Sequence, residues 1–198
     1  MLRYAITSGT HSGTSSETLE NARRWSAEGV EYVQLRESHL GAGEQVKLAN
    51  AMLAIFQEDG SKTKLLINHR ADVAIVTGSG VHLTAKPGEL TAMQVRQVFA
   101  TLHDSQPYAV SVSCHTLEDV HHAIAMGADL ILFGPVFEKR VAGELILAGT
   151  GLEALGRACG IANHTPVLAL GGVTDSNAAQ CVEAGAAGVA GIRLFRQK

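Results

Sequence analysis

Apolar residues along this chain follow two spacings in turn. Short apolar runs at residues 2–6, 30–35, 65–68, 80–83, 108–112, 130–133, 167–170 and 188–190 predict eight strands. Several are continuous rather than alternating, as expected of parallel strands covered on both faces. Between them the apolar positions shift to helical spacing. Leu19 and Ala22 open one stripe, and Val46, Ala49, Leu53 and Phe56 form a second. Val95, Val98, Phe99 and Leu102 form a third, and Leu117, Val120 and Ile124 a fourth.

Glycine punctuates the same pattern. Gly29, Gly78, Gly127 and Gly185 each stand just before a strand, 49, 49 and 58 residues apart, about the length of two β-α units. A helix carboxyl cap often needs left-handed backbone, which glycine adopts without steric cost. Helix starts carry their own signals: Thr14 with Glu17, Thr91 with Gln94 and Thr116 with Asp119 match or nearly match the capping box. Eight strands alternating with helices predict an α/β fold, a compact (β/α)8 TIM barrel forming one domain over residues 1–198. An open doubly wound sheet is the alternative. Only residues 193–198 follow the last strand, so the final helix is expected to be short or missing.

Composition narrows the function classes. A net charge of −3 argues against a nucleic-acid partner, which would need a basic face. No apolar run approaches the ~18 residues of a membrane span, and the first residues lack the pattern of a signal peptide. Three widely spaced cysteines, Cys114, Cys159 and Cys181, do not suggest a disulfide framework. The expectation is a cytoplasmic enzyme.

In such barrels the chemistry gathers at the carboxyl ends of the strands. Those ends here read Arg36, Asn68 with Arg70, His82, Ser113 with His115, Gly134, Gly171-Gly172 and Gly191. This polar, cationic and glycine-rich rim suits a small anion. Gly171-Gly172-Val173-Thr174 ends the seventh strand and is read as opening a helix, whose free N–H groups would hold a phosphate. Gly191 and Ile192, ending the eighth strand, complete that cradle. Arg36 can clamp a carboxylate or phosphate, or pair with Glu37 instead. Asn68 can orient a substrate, or cap the next helix. His115 is the candidate proton carrier, because imidazole both takes and returns a proton near neutral pH. His121 and His122 fall inside the following helix and read as surface residues. Cys114 reads as structural rather than nucleophilic. No histidine pair has metal-ligand spacing, so neither a metal nor a cofactor is expected.

Gln34-Leu35-Arg36-Glu37, Ile67-Asn68-His69-Arg70-Ala71-Asp72, Gly80-Val81-His82-Leu83 and Ser113-Cys114-His115 occur in that order. They are followed by Gly127-Ala128-Asp129, Phe133-Gly134-Pro135-Val136-Phe137 and Ala169-Leu170-Gly171-Gly172-Val173. This ordered set resembles the thiamine phosphate synthase/TenI superfamily from about Tyr4 to Ile192. The synthase branch joins a pyrimidine pyrophosphate to a thiazole phosphate with magnesium. Its pattern is similar to Q-x-R-x-K, N-D-R, H-L-G-Q-E-D and G-P-V-F-x-T-x-T-K. Here Ser38 stands for the lysine and His69 for the aspartate of N-D-R. The stretch from His82 to Pro87 lacks the second acid, and Glu138 to Ala142 lacks the threonines and the final lysine.

Magnesium is held through carboxylates and substrate phosphates, so losing both acids removes its anchor. The resemblance therefore implies the TenI-like branch, thiazole tautomerases that aromatise a thiazole carboxylate phosphate without metal. On that reading His115 moves the proton. Gly134, Gly171, Gly172, Gly191 and Ile192 bind the phosphate, and Arg36, Asn68 and Ser113 contact a small phosphorylated thiazole-like substrate. A homodimer is consistent with the resemblance. Two alternatives stay open: a residual synthase in which Lys86, Lys139 or Arg140 replaces the magnesium charge, and a non-catalytic phosphometabolite binder. Residues 138–150 read as either an ordered lid or a loop.

Overall fold

The computed structural model describes residues 1–7, 15–102, 108–141 and 144–196. Eight parallel strands close into a barrel: β1 (Leu2–Ile6), β2 (Tyr32–Leu35), β3 (Lys64–Asn68), β4 (Gly80–Thr84), β5 (Val110–Cys114), β6 (Leu130–Phe133), β9 (Val167–Leu170) and β10 (Gly188–Gly191). Around the ring the order is β1, β10, β9, β6, β5, β4, β3, β2, and β1 pairs with both β2 and β10. The helices are α1 (Ser15–Ala27), α2 (Ala42–Glu58), α3 (Ala71–Thr77), α4 (Ala92–Leu102), α5 (Leu117–Ala125), α6 (Gly151–Ala162) and α7 (Ala178–Glu183). The (β/α)8 expectation holds, and the open sheet does not. After β10 the described residues form a 3-10 turn, Arg193–Phe195, and no further helix. Among the described residues, no helix is long and apolar enough to cross a membrane.

Strand parity sorts the core into two layers. Val33, Leu35, Ile67, Val81, Val112 and Phe133 point outward and pack under the helices. Tyr4, Ile6, Leu66, Leu130, Leu132 and Leu168 fill the barrel interior. The interior is not wholly apolar: Gln34, His82, Ser111 and Ser113 are buried among these residues. Those serines explain why β5 runs over Val110–Cys114 rather than 108–112. Tyr108 lies outside the strand with its ring 4.2 Å from that of Phe99, and Ser111 and Ser113 take the inward positions that an unbroken apolar run would have filled.

The predicted caps are built as expected where they are described. Thr116 Oγ1 accepts from the Asp119 amide at 3.1 Å, and Asp119 Oδ2 accepts from the Thr116 amide at 2.9 Å. Thr91 and Gln94 exchange the equivalent pair, while Thr14 lies outside the described residues. The four recurrent glycines all have positive φ, from 67° to 105°. Segment 138–150 contains an antiparallel hairpin, β7 (Lys139–Val141) with β8 (Glu144–Leu147).

Candidate active site at the barrel mouth

His115 directly follows β5, where two bonds set its position. Its amide donates to Asp119 Oδ2 at 2.8 Å, so the cap of α5 also pins this residue. Its Nδ1 lies 2.5 Å from the Gly134 carbonyl oxygen. A carbonyl only accepts, so Nδ1 carries a proton, and Nε2 is the nitrogen left to exchange one. Neighbouring Cys114 is buried, and burial pushes its thiol up to about 12. That thiol is not a nucleophile near neutral pH. His121 and His122 are exposed on α5.

Gly134 to Phe137 runs beside the end of β9. The Val136 amide donates to Leu170 O at 2.8 Å and the Phe137 amide to Gly171 O at 3.0 Å. Gly171 and Gly172 have φ of 89° and 68°. A Cβ on Gly171 would sit 2.6 Å from Pro135 Cα, and one on Gly172 2.7 Å from Phe137 Cβ. The need for glycine here is thus first internal: the protein's own loop occupies the space.

The expectation that Gly172 opens a helix is corrected by the structure. Asn177 closes a turn instead, accepting from the Thr174 amide at 2.8 Å and donating to Gly172 O at 3.1 Å, and α7 begins only at Ala178. Any anion at this bend would rest on its amides, without a helix dipole behind them. Among the described residues, the N–H groups of Gly172, Val173 and Ile192 have no acceptor. Gly191 ends β10, and Ile192 precedes the 3-10 turn with its side chain against the inner core.

Across the opening stand the ends of β2, β3 and β4. Arg36 is exposed, with its amide on Thr7 Oγ1 at 2.8 Å. Among the described residues no carboxylate pairs with its guanidinium. Glu37 is buried and lies 3.7 Å from His39 Nδ1, so the Arg36–Glu37 alternative is not the one adopted. Asn68 is inward-facing and registers with His82, and Arg70, not Asn68, occupies the cap position of α3. Arg70 belongs to the outer surface, tied to Asp72 through Nε at 2.8 Å. Ser113 is buried on the inner face, with its hydroxyl 3.5 Å from Leu83 O.

Below this rim lies a polar chain that the sequence reading did not assemble. Gln34 Nε2 donates to the Tyr4 hydroxyl at 3.1 Å, that hydroxyl meets Ser111 Oγ at 3.0 Å, and Ser111 Oγ meets His82 Nδ1 at 2.8 Å. With Gln34 donating, the Tyr4 proton goes to Ser111 and the Ser111 proton to His82 Nδ1. The His82 proton therefore sits on Nε2. Burial first, then His69 and Arg36, pushes His82 down to about 3, so the ring is neutral. Inward parity of Gln34, His82 and Ser111 was the available signal.

His69 is a second rim residue that strand counting does not single out. It has φ of 59°, a left-handed conformation costing a non-glycine residue roughly 1 kcal/mol or more. Its ring stands edge-on to His82, centroids 6.5 Å apart.

The resemblance to magnesium-dependent synthases raises the question of whether these residues fit that ion. They do not form a set of oxygen donors: His69 offers nitrogen, Glu89 lies against His69, Asp72 is held by Arg70, and Glu37 faces His39. Among the described residues, no group of three His, Cys, Asp or Glu side chains is arranged to hold a metal.

Fold and rim together define a (β/α)8 barrel protein with a polar mouth framed by glycine loops. A family model described as thiamine monophosphate synthase (TMP-TENI) matches residues 3–195, and the chain belongs to that family. A Geobacter sulfurreducens relative is 38% identical over 172 residues, covering 83% of this chain and 72% of its own. The thiamine-phosphate synthase of Methanoregula boonei is 32% identical over 191 residues, covering 94% and 82%. Among solved structures, thiamine phosphate pyrophosphorylase from Pyrococcus furiosus superposes with a TM-score of 0.78 at 23% identity, covering 96% of this chain and 85% of its own. That likeness bears on the fold.

Proposed function

We propose that this family member is a metal-independent thiazole tautomerase acting on a thiazole carboxylate phosphate. The observation that carries the reading is the His115 Nδ1 to Gly134 carbonyl bond just beyond β5, which leaves Nε2 as the nitrogen able to take a proton. Nε2 takes a proton from one carbon of the non-aromatic isomer, and the imidazolium so formed returns one to another carbon. The C–H electrons enter the ring as it becomes aromatic, so no oxidant or metal enters the balance. Amides of Gly172 and Ile192 hold the phosphate with Gly134, Gly171 and Gly191 shaping the cradle, while Arg36, Asn68 and Ser113 orient the ring.

The test is His115→Asn, whose amide keeps a donor for the Gly134 carbonyl. Turnover of the thiazole carboxylate phosphate should fall about 10²–10⁴-fold, with thiazole phosphate affinity unchanged. Turnover retained in H115N overturns the reading. The relatives' names favour a second one, synthase activity, for which Lys86 lies exposed on the rim; the side chains of Lys139 and Arg140 lie outside the described residues. Thiamine phosphate formed from both synthase substrates, with and without magnesium, decides for it. Equal binding by wild type and H115N with no turnover in either decides for a phosphometabolite binder.

A further inference from the structure

The rim opposite the glycine loops holds an arrangement that proton transfer at His115 does not use. Around the ring β3 lies four strands from β9, and β2 four strands from β6. His69 and Arg36, at the ends of β3 and β2, therefore face Gly172 and Gly134 across the opening. His69 has a left-handed backbone, its amide donates to His82 O at 2.9 Å, and its imidazole stands edge-on to the inward-facing His82 ring with centroids 6.5 Å apart. Nδ1 of that ring lies 3.7 Å from Glu89 Oε2, which leaves Nε2 for a ligand. Arg36 has no described carboxylate partner, and both groups act electrostatically on His82. Of two other carboxylates on this rim, Asp72 is held by Arg70 and Glu37 is buried, 3.7 Å from His39 Nδ1.

We infer that His69, together with Arg36, recognises a carboxylate at the end of the substrate remote from its phosphate, and so selects carboxylated over uncarboxylated thiazole phosphates. In the complex Nε2–H donates to the ligand carboxylate, while Nδ1 stays on the Glu89 side of the ring. Arg36 supplies the second arm of the clamp, with the charge and planar geometry that suit a carboxylate. A glycine would take this backbone conformation without strain but would bring no donor. The choice of thiazole phosphates as ligands rests on the proposed function; the preference for a carboxylate rests on the rim itself.

The test uses His69→Asn, because asparagine tolerates left-handed backbone and lacks the imidazole. Wild type and H69N are titrated calorimetrically with the aromatic thiazole carboxylate phosphate and with the thiazole phosphate lacking the carboxylate. Wild type should prefer the carboxylate. H69N should lose about tenfold in Kd for that ligand, the worth of one charged hydrogen bond, and stay within twofold for the other at an unchanged Tm. Equal weakening of both ligands, no change for either, or no carboxylate preference in wild type overturns the inference. H115N, run alongside, should keep the preference. A preference that vanishes in H69N while wild type shows no isomerisation would sink the tautomerase reading alone.

Discussion

His82 sets a measurable dependence on pH. Its folded titration point, about 3, lies below the ordinary 6.5, so the unfolded chain binds more protons between those values. Stability should therefore be fully present above about 6.5 and decline as pH falls toward 3, with a slope of up to about 1.4 kcal/mol per pH unit. Chemical denaturation of wild type and His82→Gln from pH 7 to 4 checks this; the variant should show the shallower slope. Gly134 gives a steric counterpart. A Cβ there would stand 2.0 Å from Leu170 O, so Gly134→Ala should lower Tm by several degrees and misplace the carbonyl that holds His115. His115 was legible as a rim residue by counting strands. His69 was not, since nothing in its identity announces a left-handed backbone, and it stands between Asn68 and Arg70, whose polar side chains carry the plainer signal.

At the level of elements, the α5 cap links stability to chemistry. Asp119 accepts from both the Thr116 and His115 amides, so one carboxylate starts the helix and fixes the proposed base. Thr116→Ala should cost about 1 kcal/mol of stability through the lost cap. It should reduce kcat more than it raises KM, which urea titration and steady-state assays would show together. Helix caps and terminal glycines were readable because they depend on a few neighbouring residues. The hairpin in residues 139–147 escaped that reading: Leu145, Ile146 and Leu147 are an apolar run without alternation, and each is about half exposed. A period-two rule finds no signal where neither face is buried. The Gly171-Gly172 bend shows the reverse failure, since a glycine pair after a strand suggested a helix start, and Asn177 intervened.

Across the whole molecule, closure depends on the first and last strands. Leu2 registers with Gly188 and Ala5 with Gly191, and the 3-10 turn after β10 is clamped to α1 by Trp25 Nε1 on Phe195 O at 3.0 Å. Phe195 is buried, so Phe195→Ala should cost roughly 3 kcal/mol or more, and tryptophan emission should report the loosened clamp. Alternation of strand and helix made the barrel legible, whereas its polar interior was hidden by the assumption that a strand covered on both faces must be apolar. The ring also constrains how the chain reaches its native state. A growing polypeptide exposes unpaired strand edges on both sides of a partial sheet until residues 188–191 leave the ribosome and dock beside residues 2–5. Chaperone dependence during synthesis should therefore be greatest immediately before residues 188–191 emerge.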